Sequence, residues 1–373
     1  MFFEENNAML MQAKAAPALI KEYIDILKEE VRFTLSAEET YQVKDLYMIG
    51  SGDSLIAAKA ACLAFSELAH VDAHALSSLE ASRYLARGYM PSKGNHSLVI
   101  AISNSGETSR VVEAAKWFKK TDATLIAVTS KTDSTLAEIC GKTICTKIPP
   151  FQAAPEVRSF EINLLALYML AIRMGENKGV YTMDHAGELR RDIAHIADAI
   201  PSAMERSRDV LMNMAKLCVE NDEVEFVGSG PAKGAAEFGM AKVIEATGTG
   251  TLAQEWEEFA HVNFFRHTPD KIPIVLIYPS CTPAKSRLEE LIWLLNHIGR
   301  PYIVITDTRD SDDPRFVQTG EVMNELFMPL YATVMIGQMV SYMNMFIDED
   351  YYRGHLGVWD ESEWHVNQQS KIE

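Results

Sequence analysis

The chain is 373 residues long, 47% hydrophobic and 23% charged, the profile of a folded protein large enough for two domains, each with its own core. Its net charge of −17 argues against nucleic acid or an anionic membrane as a partner, so any bound anion must be caught by local donors. Glu4 and Glu5 stand where a signal peptide would be basic, no stretch reads as about 18 consecutive apolar residues, and Cys62, Cys140, Cys145, Cys218 and Cys281 are scattered. These features predict a cytoplasmic protein whose reduced thiols serve as small hydrophobes.

In chain order, residues 46–50 form an apolar run closed by Gly50-Ser51-Gly52-Asp53-Ser54, which predicts a buried strand and a tight turn. A second strand, residues 98–102, leads into Ser103-Asn104-Ser105-Gly106-Glu107-Thr108, and then a helical pattern through Val111, Val112, Ala115 and Phe118. An ordinary capped helix needs one hydroxyl. Three hydroxyls and a glycine within six residues, beside the free N–H groups of a helix start, favour an anion site that fits a phosphate. Ser103, Ser105, Gly106 and Thr108 are therefore its expected ligands. Residues 125–129 predict a third strand, residues 63–68 and 159–174 further helix, and the charged residues 184–207 a helical connection.

The pattern then repeats. Residues 224–230 echo 46–52 at an offset of 178, residues 274–279 echo 98–103 at 176, and residues 302–306 echo 125–129 at 177. Apolar strands alternating with helices predict an α/β fold of two tandem doubly wound parallel-sheet sandwiches. The expected organisation is a first domain over 1–176, a helical linker over 177–207, a second domain over 208–347 and a C-terminal tail over 348–373. Ligands of such sheets sit beyond the carboxyl ends of the strands, where Ser51, Ser54 and Ser103 to Thr108 fall. In the second copy the hydroxyl turn is replaced by Pro279-Ser280-Cys281-Thr282-Pro283, whose prolines remove donors, so one phosphate site per chain is expected.

The second copy carries different chemistry. Lys242 and Glu245 share a helix face, as a surface ion pair or as an acid/base pair in which Val243, Ile244 and Ala246 raise the affinity of Glu245 for its proton. His261 lies sixteen residues further on among Phe259, Val262, Phe264 and Phe265, as a packed histidine or a proton-transfer group. Glu258 is its expected partner, and Glu255 and Glu257 read as a solvated helix face. Met323, Met328, Met335, Met339, Met343 and Met345 predict a core or subunit-facing helix. Neither Gly50 nor Gly228 opens a dinucleotide fingerprint, no Walker-type loop occurs, and His185, His195, Asp184 and Asp192 lack metal-ligand spacing, so no cofactor and no metal is expected.

The Gly-Ser-Gly-Asp-Ser turn, the Ser-x-Ser-Gly-Glu-Thr turn and the doubled half resemble the SIS (sugar isomerase) domain family in its double-domain form. The resemblance implies that Ser103, Ser105 and Thr108 hold the 6-phosphate of a small-molecule sugar phosphate, with Ser54 helping and Ser159 contributing from the next loop. The Lys242/Glu245/His261 spacing is similar to that of the isomerase domain of glucosamine-6-phosphate synthase and of the fructosamine-6-phosphate deglycases. It implies Glu245 as the C1/C2 proton shuttle, Lys242 as its support and His261 as ring opener or second acid/base. Two departures stand out: Val262-Asn263 follows His261 where the synthase has Gly-Pro, and Phe238 replaces a glutamate four residues before Lys242, with Glu237 one position earlier.

The resemblance further implies a homodimer or dimer of dimers with active sites shared between subunits, and a C-terminal segment that brings Lys371 or Arg353 toward the sugar. Position 2 is Phe2, not the cysteine of a glutaminase domain, so a stand-alone enzyme is expected. The activity read from these matches is a deglycase acting on a 6-phosphorylated ketoamine. An aldose–ketose isomerase, an amino-sugar-phosphate deaminase and a non-catalytic sugar-phosphate sensor are the alternatives.

Overall fold

A computed structural model of the chain describes residues 7–85, 97–307, 312–351, 357–360 and 365–372. The chain divides into two compact units, one drawn from residues 19–150, 159–191 and 354–373, the other from residues 1–18, 151–158 and 192–353.

The first of these units is built on a five-stranded parallel sheet, β1 (Asp45–Gly50), β2 (Asp72–Ser77), β3 (Ser97–Ile102), β4 (Thr124–Thr129) and β5 (Thr143–Cys145), in the order β2-β1-β3-β4-β5. Its helices include α3 (Asp53–Ala69), α4 (Ser109–Phe118), α5 (Thr135–Cys140) and α6 (Arg158–Lys178), while α1 (Ala8–Thr34) and α2 (Ala37–Gln42) precede the first strand. Leu98 to Ile102 are all buried, as expected for a strand covered on both faces. Val111, Val112, Ala115 and Phe118 turn the apolar stripe of α4 onto Val99, Ala101 and Leu125.

The second unit repeats the plan. Strands β6 (Glu223–Val227), β7 (Gly250–Gln254), β8 (Ile274–Tyr278), β9 (Tyr302–Thr306) and β10 (Phe316–Gln318) are parallel and ordered β10-β9-β8-β6-β7, the same sequence of neighbours. Its helices are α8 (Arg208–Asn221), α9 (Pro231–Thr247), α10 (Trp256–His261), α11 (Lys285–Ile298) and α12 (Met328–Ile347); α7 (Met183–Arg206) runs from the first unit into the second, and the short α13 (Val366–Gln369) of the tail belongs to the first. The repeat extends to backbone detail. Gly52 and Gly230, the N-caps of α3 and α9, have φ of 53° and 54°, a left-handed region open chiefly to glycine.

The strands and helices read from the sequence are present, including the methionine-rich helix as α12. One expectation needs correction. The stretch Glu325–Ile347 is long and apolar enough to cross a membrane, yet its apolar window is wholly buried inside the protein. Its apolarity serves packing, with α12 lying against α8 and α9. The thiols are likewise mixed in role. Burial pushes the Cys62 thiol up to about 11 and the Cys140 thiol to about 12, as small hydrophobes require, whereas Cys281 is exposed.

Candidate active site

In each sheet the connections reverse direction between the first and third strands of the unit, the switch point beside which ligands of such sheets bind, outside the carboxyl ends of the strands. In the first unit β1 and β3 are neighbours in register, Ile49 opposite Ala101, so the turns at Ser51 to Ser54 and Ser103 to Thr108 emerge side by side.

The hydroxyl turn is organised by contacts within itself. Ser103 Oγ is buried, lies 2.9 Å from Thr108 Oγ1 and 3.5 Å from Ser105 Oγ, and accepts the Gly106 N–H at 3.1 Å. Thr108 is the N-cap of α4, yet its side chain makes no capping hydrogen bond. Its hydroxyl faces Ser103 instead, which separates this turn from an ordinary cap. Ser105 Oγ accepts the Glu107 N–H at 3.2 Å.

Two devices hold the turn in shape. Gly106 has φ of 69°, and a Cβ there would meet Ser134 Oγ at 2.1 Å, so no other residue fits. Glu107 brings a carboxylate next to the three hydroxyls, but that carboxylate is engaged elsewhere. Its Oε1 accepts the Thr135 N–H at 2.8 Å, at the start of α5, while Ser134 caps the same helix through Ala137 N–H.

The remaining phosphate candidates are placed unevenly. Ser54 is buried in the first turn of α3, and Ser51 Oγ lies 2.6 Å from Ser78 Oγ. Ser159 is buried as the second residue of α6. In the tail, Arg110 of α4 donates to Ser370 Oγ at 2.9 Å and to the Lys371 carbonyl, so Lys371 is tied by its backbone to the helix that follows the hydroxyl turn. Arg353 lies outside the described residues.

In the second unit the matching turns are occupied from within. Ser229 Oγ donates to the Glu255 carboxylate. Buried Asp307 accepts the Ser280 N–H and Oγ–H, each at 2.8 Å, and the Met323 N–H at 2.7 Å. Donors that would have been offered to an anion are already satisfied by carboxylates of the protein.

Lys242 and Glu245 stand together on α9. The Lys242 Nζ is fully buried, donates to Glu245 Oε2 at 2.7 Å and lies 5.3 Å from the centroid of the Phe238 ring. The replacement of glutamate by Phe238 thus gives the ammonium an aromatic floor, while Glu237 pairs with Lys233 at 3.6 Å. This is no surface ion pair, since its cation is out of water. The apolar enclosure expected around Glu245 is absent: Val243, Ile244 and Ala246 point elsewhere on the helix, and the carboxylate side chain is 44% exposed.

His261, expected among packed aromatics, is exposed at the end of α10 and open to solvent. Its partner is Glu257, not Glu258: His261 Nε2 lies 2.9 Å from Glu257 Oε1, because four residues, not three, bring side chains over one another here. Glu255 is not a solvated face residue either. It caps α10, accepting the Glu257 and Glu258 N–H groups at 2.7 and 3.2 Å. Burial pushes its carboxyl up, but the Ser229 hydroxyl and these N–H donors outweigh that and hold it below the ordinary value.

Sequence reasoning missed the network behind His261. Glu225 on β6 and Arg300 are both fully buried and paired at 3.1 Å. Asn263 donates to Glu225 Oε2 at 3.1 Å, and its carbonyl accepts from Arg300 at 3.2 Å. The Val262-Asn263 departure is thereby explained: asparagine anchors the loop to a buried ion pair. A glutamate inside an apolar strand run was the available signal.

Two parallel α/β sheets in tandem, with a hydroxyl-lined turn at the topological switch point of the first, define the class of fold. Residues 39–173 match the SIS domain model, and the second sheet repeats the topology of the first. Isomerizing glutamine–fructose-6-phosphate aminotransferase of Clostridium tetani is 23% identical over 262 residues, 69% of this chain and 42% of that protein. The Thermococcus kodakarensis enzyme of the same name is 25% identical over 277 residues, 73% and 44%. The chain matches about half the length, or less, of these curated relatives.

Among solved structures, the C-terminal domain of glucosamine-fructose-6-phosphate aminotransferase from Francisella tularensis has a TM-score of 0.81 at 16% identity, covering 93% of this chain and 98% of that one. Glucosamine-6-phosphate deaminase from Thermotoga maritima has a TM-score of 0.65 at 17% identity, covering 91% and 97%. These likenesses establish the fold.

Proposed function

We propose that the chain is a sugar-phosphate deglycase that converts a 6-phosphorylated ketoamine to hexose 6-phosphate and free amine. The observation that carries sugar-phosphate recognition is the Ser103–Ser105–Thr108 cradle, whose capping-position hydroxyl serves no cap. The Lys242–Glu245 pair supports the chemistry. A carboxylate oriented by a buried ammonium can take a proton from C1 of the ketoamine, generating an enaminol, and return it at C2 to give an imine. Water then adds to C1, the C–N bond breaks, and the amine leaves with the added proton. Lys242, itself out of water, orients the Glu245 carboxylate through their hydrogen bond, and His261 opens the ring or serves as the second acid/base.

The relatives named as aminotransferases and the deaminase act on 6-phosphorylated sugars by their names, which supports the substrate class. The likeness to the deaminase favours a second reading, release of ammonia from an amino-sugar phosphate by the same groups. The proposal includes assembly as a homodimer with shared sites.

The deciding experiment incubates the purified chain with 6-phosphorylated ketoamines, amino-sugar phosphates and hexose 6-phosphates. Equal amounts of hexose 6-phosphate and amine establish the deglycase. Ammonia from the amino sugar alone establishes the deaminase, aldose–ketose exchange alone an isomerase, and binding without turnover a sensor.

A further inference from the structure

We propose that Glu257 is a positioning residue for His261, held in place by Arg287 from a neighbouring helix. This rests on the reading of His261 as an acid/base group. Glu257 uses both carboxylate oxygens: Oε1 lies 2.9 Å from His261 Nε2, and Oε2 lies 2.7 Å from Arg287 Nε. Arg287 belongs to α11 and is itself braced by Glu290 at 2.9 Å.

An exposed glutamate–histidine pair one helical turn apart is by itself weak and mobile. A cation delivered from a second element changes that, because the carboxylate is fixed at both ends and the imidazole can rotate only by giving up its partner. With Nε2 engaged, Nδ1 is the nitrogen left to exchange a proton with substrate in this scheme. The backbone just beyond is pinned as well, through Asn263 on Glu225 and Arg300. Ring and main chain are thus held independently, as a proton-transfer group needs if it is to remain within hydrogen-bond reach of the atom it serves. Neither Glu257 nor Arg287 touches substrate in this scheme; both act through His261.

The test is a double-mutant cycle on the full chain, with the 6-phosphorylated ketoamine formed from glucose 6-phosphate and glycine as probe. Glu257→Gln should lower kcat by about ten- to a hundredfold with little change in KM. In a His261→Asn background the same substitution should change kcat by less than about twofold, since nothing remains to be positioned. Arg287→Met should act in the same direction as Glu257→Gln. A loss from Glu257→Gln that is equal in both backgrounds overturns the proposal.

A second arm needs no turnover. In protein labelled with 15N-histidine, the His261 Nε2 resonance should move on Glu257→Gln and on Arg287→Met, and an unmoved resonance overturns the proposal whatever the activity. Full turnover by His261→Asn, or none by the wild type, sinks the acid/base reading instead, and the resonance still decides whether Glu257 holds the ring.

Discussion

Lys242 and Glu245 meet at 2.7 Å with the cation sealed inside α9's packing and the carboxylate at its surface. Glu245→Gln keeps the shape and the hydrogen-bonding reach of the side chain while removing its basicity. Binding of hexose 6-phosphate, followed by calorimetry, should stay near wild type while turnover falls by about 10²- to 10⁴-fold. Unchanged turnover would remove the assigned role.

Ser105→Ala deletes one hydroxyl of the cradle and the acceptor of the Glu107 N–H. It should raise the apparent KM for phosphorylated substrates several-fold and leave kcat nearly alone, because a phosphate remote from the reacting carbons is bound alike in ground and transition states. A loss confined to kcat would argue against phosphate contact at this turn.

Gly106→Ala tests whether the cradle is rigid. The added methyl group meets Ser134 Oγ and the backbone stays at φ of 69°, so the variant should lose at least about 2 kcal/mol in urea denaturation. A midpoint equal to that of the wild type would mean that the turn yields.

Breaking the buried pair should be costlier than removing it. Arg300→Met leaves the buried Glu225 carboxylate with only Asn263 and the partly exposed Arg266, 3.4 Å away, and should destabilise the protein by up to about 3–5 kcal/mol. Adding Glu225→Met should recover part of the loss, and denaturation of the two variants under identical conditions measures the difference.

Glu255 sets a pH dependence of known sign. Its carboxyl titrates lower in the folded protein than its ordinary 4.5, so folding favours the ionised form. The resulting stabilisation is present above pH 4.5 and is lost as pH falls through the folded value. In melting curves taken between about pH 3 and 6, Glu255→Gln should flatten the acid limb relative to wild type. Parallel limbs would show that the cap does not respond to charge.

The fold was legible where strands are central. Residues 98–102 and 274–278 are apolar throughout because both faces of the sheet are covered. The four strands that escaped, β2, β5, β7 and β10, are all at sheet edges. Asp72-Ala73-His74-Ala75-Leu76-Ser77 and Gly250-Thr251-Leu252-Ala253-Gln254 are partly exposed and carry no apolar run, and the other two are three residues long.

The site divided in the same way. The hydroxyl turn was readable because its donors are adjacent in sequence. The bridge from His261 through Glu257 to Arg287 was not, because its last member comes from another helix. Nor does local sequence disclose that Lys242 is buried while its partner three residues on is not.

Asp307 gives the repeated architecture a means of discrimination. In the second copy the Asp307 carboxylate already accepts the Ser280 N–H, the Ser280 hydroxyl and the Met323 N–H, so those donors are committed within the protein and a carboxylate stands where an anion would have to approach. Two sheets of the same strand order can thereby differ in the chemistry offered at matching turns, hydroxyls in one copy and a committed carboxylate in the other.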